Sequence, residues 1–133
     1  MGSKNRILLG ILTDIIQHHF RNTLIKKELY ITKLKVKKIA NKHPEIVHFI
    51  MKHDFQTIID NTIARCDYNK EGIYNLLSIV DGKYILYSVS INNFYLVGGT
   101  LFYTSKRQLK KCQSSIKFFS KKYEEDFLMF VEN

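Results

Sequence analysis

The sequence predicts an α+β domain in which N-terminal helices pack on an antiparallel meander sheet of four to five strands, with a helix after the sheet. Apolar residues recur at helical spacing through residues 4–51, whereas residues 75–104 form runs rich in Val, Ile, Leu and Tyr that short turn signals separate. The chain has 133 residues, of which 45% are hydrophobic, and a single proline. These properties indicate one domain without a linker.

Residues 4–20 predict the first helix, with an apolar stripe along one side. The stripe consists of Ile7, Leu8, Ile11, Leu12, Ile15 and Ile16. We expect residues 4–22 to form a helical extension that docks on a core of residues 29–119, with residues 120–133 as a tail. A helix that binds a partner or a membrane surface is the alternative. The apolar run is too short to span a bilayer, and we expect no membrane partner.

Two consecutive helices are predicted after a short strand at residues 29–31. The first runs from Thr32, a suitable N-cap residue, to Lys42. Pro44 disfavours helical geometry at the preceding residue, so this helix is expected to end at His43. Pro44 also suits the first position of the next helix.

The sheet is predicted mainly from the middle of the chain. Its three long strands are expected at residues 75–80, 83–91 and 94–104, joined by turns at Asp81-Gly82 and Asn92-Asn93. Gly98-Gly99 indicates a bulge in the third of them. Residues 62–67 predict a further strand at an edge of the sheet.

A helix is predicted after the sheet, over residues 105–119. Ser105 and Gln108 match a capping box at its start. The apolar residues 127–131 are expected either to pack back on the domain or to add a strand.

Basic residues are concentrated in two segments that contain no Asp or Glu. One lies between Glu28 and Glu45, and the other lies between Asp81 and Glu124. The formal net charge of the chain is +9. A positive field attracts polyanions, of which nucleic acid is the commonest for a protein to meet. The sequence therefore predicts a basic surface that faces RNA.

Several classes of enzyme are disfavoured by missing motifs. The chain has no phosphate-binding loop, no zinc-protease helix motif and no serine-hydrolase elbow. Cys66 and Cys112 are too few for a disulfide framework, which indicates reduced thiols. The five-residue spacing of His43, His48 and His53 does not align them on one helical face. We expect no metal site and no cofactor.

RNA cleavage is a reaction that this composition can support without a metal. The ribose 2′-hydroxyl is an internal nucleophile, a base removes its proton, and cations stabilise the charge on the phosphate. Histidine titrates near neutral pH and suits proton transfer. His43 is the leading candidate, because it lies at a helix end beside a basic segment. The alternative is a histidine at the edge of the core that a backbone group satisfies.

The other candidate catalytic residues are Thr104, Lys106, Lys83 and Tyr84. Lys83 and Tyr84 follow a turn and are ordinary strand residues in the alternative interpretation. Lys106 lies at a helix N-terminus, where a basic side chain is unfavourable unless an anion binds there. The candidate RNA-binding residues are Lys35, Lys38, Lys42, Ser105, Arg107, Lys110 and Lys111. Ser105 is alternatively only a helix cap, and the lysines a solvated face.

The chain resembles the phage-associated branch of the barnase–EndoU–colicin–RelE-like nuclease superfamily. The resemblance rests on Lys42-His43-Pro44 after a basic helix, Phe55–Ile59, the strand with Lys83-Tyr84, and Tyr103-Thr104-Ser105-Lys106. It covers about residues 30–112.

The resemblance implies a metal-independent ribonuclease of toxin type that cleaves tRNA or mRNA in the cytoplasm. It implies His43 as the acid or base, Thr104 and Ser105 at the phosphate, and lysines as charge partners. These are Lys42, Lys83 and Lys106. Such a toxin is expected to have an acidic immunity protein or antitoxin as a partner. Many relatives carry Arg where this chain has Lys42, which keeps the charge but loses bidentate phosphate geometry.

The expected function is therefore an endoribonuclease that leaves a 2′,3′-cyclic phosphate. The alternative is a non-catalytic RNA-binding module of the same fold, in which some aromatic residues stack bases. These residues are Tyr84, Tyr87, Phe94, Tyr95, Phe102 and Tyr103. An interaction protein that docks an acidic partner is the third alternative.

Overall fold

The structure is a computed structural model that describes residues 6–18, 28–66, 73–92 and 95–132. Its elements are β1 (Arg6–Ile11), α1 (Asp14–His18), β2 (Glu28–Thr32), α2 (Lys33–Lys42), α3 (Pro44–Asp60), β3 (Thr62–Cys66), β4 (Ile73–Val80), β5 (Lys83–Asn92), β6 (Tyr95–Tyr103), α4 (Lys106–Lys111), a 3-10 turn (Gln113–Ser115), β7 (Ile116–Phe118) and α5 (Lys121–Glu132). The α+β class is confirmed, and a helix closes the described part of the chain.

The described strands form one seven-stranded sheet in the order β1-β2-β6-β5-β4-β3-β7. The meander from β3 to β6 is confirmed, with Asp81 and Gly82 in left-handed geometry at the β4–β5 turn. The register of β6 against β5 shifts beside Gly98, where a bulge was expected. The sheet is wider than the four to five strands expected, because β1, β2 and β7 extend the antiparallel meander and β2 runs parallel to β6.

Both faces of the sheet are covered by helices. Alternate residues of β5 point to opposite sides: Ile85 packs with Ile58 of α3, and Leu86 packs with Leu109 of α4. We name these sides the α3 face and the α5 face. The α3 face is covered by α1, α2 and α3, and the α5 face is covered by α4 and α5. A strand that is apolar on both sides is typical of a sheet between two layers of helix.

The prediction of an N-terminal helix over residues 4–20 is wrong for residues 6–11, which form strand β1. Its backbone pairs with β2, and the side-chain amide of Gln56 donates to the Ile11 carbonyl at 2.9 Å and accepts from the Ile11 N–H at 2.7 Å. A Cβ atom at Gly10 would lie 2.5 Å from Gln56 Oε1, so α3 approaches this strand closely. Tertiary hydrogen bonds therefore decide the structure of a short apolar run that also fits a helix.

The break between α2 and α3 is confirmed. The Thr32 hydroxyl accepts a hydrogen bond from the Lys35 N–H at 3.2 Å, and Pro44 occupies the first turn of α3. His43 lies between the helices with φ −138° and ψ 67°, and its N–H donates to the Ile39 carbonyl at 2.7 Å. The side chain of His43 thus projects from a junction whose backbone geometry is set by local sequence.

The C-terminal part differs from the predicted helix over residues 105–119. Helix α4 ends at Lys111, and after the 3-10 turn the chain enters β7, which pairs with β3. Strand β3 is therefore internal, and the prediction of an edge strand at residues 62–67 is wrong. The apolar residues 127–131 belong to α5, which packs back on the sheet through Phe127 and Val131.

Candidate nucleic-acid interface

The first basic surface is helix α2, which we name the α2 surface. It carries five lysines and no acidic residue: Lys33, Lys35, Lys37, Lys38 and Lys42. None of its side chains is fully buried, and Leu34 is 64% exposed. Ile39 is partly buried against the α3 face. The α2 surface is thus a strongly cationic helix that has no fully buried side chain.

His43 lies at the end of the α2 surface beside a carboxylate. Its Nδ1 atom is 3.5 Å from Glu45 Oε1, and the histidine side chain is 35% exposed. A carboxylate at this distance can orient the imidazole ring. Among the candidate residues, Lys35, Lys38 and Lys42 lie on the helix that ends beside His43.

The second basic surface is on α4, and we name it the α4 surface. It consists of Lys106, Arg107, Lys110 and Lys111, all of which are exposed. The helix is anchored, because Leu109 is fully buried and the Ser105 hydroxyl accepts a hydrogen bond from the Gln108 N–H at 3.2 Å. Ser105 is therefore a helix cap. The ammonium group of Lys106 lies 5.2 Å from the centre of the Phe130 ring, which is a cation–π distance.

The two basic surfaces lie on opposite sides of the sheet. Ile39 of α2 packs with the α3 face, whereas Leu109 of α4 packs on the α5 face. The helix that ends beside His43 is therefore separated by the sheet from the helix that carries Lys106. The structure does not assemble His43, Thr104 and Lys106 into one cleft.

Tyr84 lies in the protein interior, which corrects its assignment as a catalytic group at an open RNA surface. The residue is 4% exposed, and its ring packs against Phe127 and Phe130 at centroid distances of 5.8 and 4.8 Å. Burial, together with the carboxylate of Asp126, raises the pKa of Tyr84 above its ordinary value. Tyr84 therefore contributes to the core as a neutral side chain.

Lys83 precedes Tyr84 in β5, and Thr104 is hydrogen-bonded to the Tyr84 backbone, but the two residues differ in exposure. The Thr104 N–H donates to the Tyr84 carbonyl at 3.0 Å, and the Thr104 hydroxyl is buried without a hydrogen-bond partner among the described residues. Lys83 is exposed and pairs with Val80 beside the β4–β5 turn. It occupies a strand position of the same parity as Ile85, on the α3 face. The candidate catalytic residues are thus divided between the core and both faces.

A second histidine–carboxylate pair was missed in the sequence. His53 Nε2 lies 2.8 Å from Asp81 Oδ2, which joins α3 to the β4–β5 turn. The next residue, Asp54, has φ 57° and ψ 163° inside α3, and its carboxylate caps the following turn by accepting from the Thr57 N–H at 3.0 Å. No sequence signal links His53 with Asp81, because the pair forms only when the β4–β5 turn packs beside α3 near its non-helical residue Asp54.

Comparison with protein-family models, characterised proteins and solved structures finds no match to this chain. Within residues 6–18, 28–66, 73–92 and 95–132, no three His, Cys, Asp or Glu side chains are placed to hold a metal ion. None of the helices that the structure describes is long and apolar enough to cross a membrane.

Proposed function

We propose that this protein binds RNA and that the α4 surface makes the main phosphate contacts. The observation that carries the proposal is the set of four exposed cationic side chains on one short, anchored helix. Cations that replace the counterions of a phosphate backbone supply most of the affinity for nucleic acid. The ribonuclease superfamily that the sequence resembles favours RNA over DNA as the ligand.

The anchoring of α4 is the reason to prefer it over α2. Ordering a long lysine side chain costs conformational entropy, and a helix that itself shifts adds to that cost. Leu109 and the Ser105 cap hold α4 on the sheet, whereas α2 has no fully buried side chain. The α4 surface also borders a groove between α4, β7 and α5, so a nucleic-acid strand can contact more than one element.

The proposal is tested by the salt dependence of binding to a fluorescently labelled single-stranded RNA. The double substitution Lys110→Gln and Lys111→Gln is expected to weaken binding at every salt concentration. It should reduce the slope of log affinity against log salt by about 1.4, because two phosphate contacts are lost. Fluorescence anisotropy gives both quantities.

The matched control is the double substitution Lys37→Gln and Lys38→Gln on α2, which removes the same charge from the other face. We expect it to change the slope much less. Equal effects of the two double variants would contradict a main contact on α4. Tighter binding to DNA than to RNA of the same sequence would contradict RNA as the ligand.

RNA cleavage at His43 is a second candidate function, and the His43–Glu45 pair is the observation that favours it. In this hypothesis the 2′-oxygen forms a bond to phosphorus while the bond from phosphorus to the 5′-oxygen breaks. His43 accepts the 2′-hydroxyl proton, and the departing 5′-oxygen takes a proton from water. The products are a 2′,3′-cyclic phosphate and a 5′-hydroxyl. Membership of the nuclease superfamily that the sequence resembles is part of this same hypothesis.

Analysis of RNA ends tests the cleavage hypothesis. The substitution His43→Ala is expected to reduce formation of cyclic phosphate by at least about 100-fold without loss of RNA binding. His48→Ala is the matched control, because His48 is an exposed histidine on α3. If RNA stays intact after incubation with the unmodified protein, cleavage is excluded and RNA binding remains the proposed function.

A further inference from the structure

A groove of about 510 Å³ opens beside the α4 surface, between α4, β7 and α5. It is lined by Lys110, Lys111, Gln113, Ser114, Ile116, Phe118, Glu124, Phe127 and Leu128. Sites for small molecules usually have volumes of about 300–1,000 Å³. The groove is thus large enough for one small organic group, and it adjoins the cations that we propose to bind RNA.

Part of the lining of the groove is apolar and aromatic, with Ile116, Phe118 and Phe127. Phe118 is half-buried, and its ring packs against Phe127 with the ring centres 5.1 Å apart and the planes at 51°. The Phe118 ring thus contacts the core while it also lines the groove, where a flat group can meet it. A planar base that stacks on such a ring loses little freedom beyond its own.

The rim of the groove carries charges of both signs. Lys110 and Lys111 supply two ammonium groups at the α4 side, and Glu124 supplies a carboxylate from α5. A phosphate is attracted by the lysines and repelled by the carboxylate. The carboxylate in turn accepts hydrogen bonds from N–H groups. The complementary ligand therefore has an anionic part and a flat part with N–H donors, which is the composition of a nucleotide.

We propose that the groove holds one unpaired nucleotide of the bound RNA, with its base against Phe118 and its phosphate beside Lys110 and Lys111. This inference rests on the proposed function, and it specifies single-stranded RNA as the ligand class. A base that is paired in a duplex cannot leave its stack without a cost in free energy. The protein therefore binds a single strand more tightly than a hairpin of the same length.

The absence of tryptophan from the sequence allows a direct test of base stacking. Phe118→Trp introduces one tryptophan into the groove, and Tyr123→Trp introduces one on α5 at an exposed position outside it. Addition of single-stranded RNA is expected to quench the fluorescence of the Phe118→Trp variant. The Tyr123→Trp variant should change little. Equal responses of the two reporters would overturn the inference.

Competition with the unmodified protein tests the same idea without a substitution in the core. Adenosine 5′-monophosphate and ribose 5-phosphate share the sugar and the phosphate, and only the former has a base. We expect adenosine 5′-monophosphate to displace labelled single-stranded RNA at a concentration on the order of tenfold lower, because base stacking adds to binding. Displacement at equal concentrations would show that the groove recognises charge alone and would overturn the inference.

Failure of the inference can be distinguished from failure of the proposed function. If the protein binds single strands and hairpins equally, with a salt dependence that the α4 lysines control, the nucleotide site is wrong and RNA binding stands. If the protein binds neither RNA, both proposals fail. A preference for the single strand that Ser114→Trp removes would support the nucleotide site, because Ser114 is an exposed residue at its rim.

Discussion

The two basic helices differ more in their support than in their charge. Helix α2 carries five cationic side chains over ten residues but buries none of its side chains fully. Helix α4 carries four over six residues and buries Leu109 completely. From sequence the two segments are similar, since each is basic and free of acidic residues. The comparison teaches that the packing under a basic helix, as well as its charge, decides whether it offers a preorganised binding surface.

The largest expected difference between the helices comes from substituting one leucine on each, Leu109 on α4 and Leu34 on α2. Leu109→Ala is expected to reduce the free energy of unfolding by about 2–5 kcal/mol, because it leaves a cavity on the α5 face. Leu34→Ala should change it by at most about 0.5 kcal/mol, because Leu34 is 64% exposed. Urea unfolding followed by circular dichroism measures both values. Similar losses in the two variants would contradict the difference in burial between Leu34 and Leu109.

The N-caps provide a sharper test of the same difference. Ser105→Ala and Thr32→Ala each remove one hydrogen bond to a helix N–H, and each is expected to cost about 1 kcal/mol. Only Ser105→Ala should also weaken binding to single-stranded RNA, because fraying of α4 displaces its cations. The unfolding experiment and fluorescence anisotropy separate stability from binding. A greater loss of RNA affinity in Thr32→Ala would contradict the preference for α4.

The smallest effect at neutral pH is expected from the buried tyrosine beneath α5. Burial raises the pKa of Tyr84 above its ordinary value near 10. The unfolded chain therefore releases this proton at a lower pH than the folded protein. Stability from the neutral tyrosine is present below pH ~10 and is lost as pH rises toward the folded pKa.

Tyr84→Phe should remove part of this alkaline destabilisation, because the phenylalanine ring retains the packing and has no proton to release. Its thermal unfolding midpoint should equal that of the unmodified protein at pH 7 and exceed it above pH ~10. Tyr123→Phe is the control, since Tyr123 is 40% exposed. Parallel pH profiles for the unmodified protein and Tyr84→Phe would argue against a buried neutral tyrosine.

The sequence carries a signal that Tyr84 is buried, but the prediction of this strand did not take it into account. Residues 84–87 are apolar or aromatic without alternation, and all four are buried. Such a run is typical of a strand covered on both faces. It predicts that neither face of the central sheet is open to RNA. The basic helices outside the sheet then become the better candidates for binding.

The partners of β1 were not predictable in the same way. Its apolar run fits a helix as well as a strand, and only the pairing with β2 and the amide of Gln56 decides between them. Likewise, the helical pattern expected through residue 119 ends early because β3 offers hydrogen-bond partners to Ile116–Phe118. Local propensity is a weak determinant wherever a neighbouring strand is available.

The sequence by itself determined the features that nearby residues specify: the Thr32 and Ser105 caps, the helix break at His43-Pro44, the Asp81-Gly82 turn and the excess of basic charge. Each depends on backbone geometry or side-chain chemistry within a few residues. Only the tertiary structure decided that the two basic helices lie on opposite faces, that Tyr84 is buried and that a groove opens beside α4. Those features require segments far apart in the chain to meet, and the side of the sheet that each helix covers is set by packing.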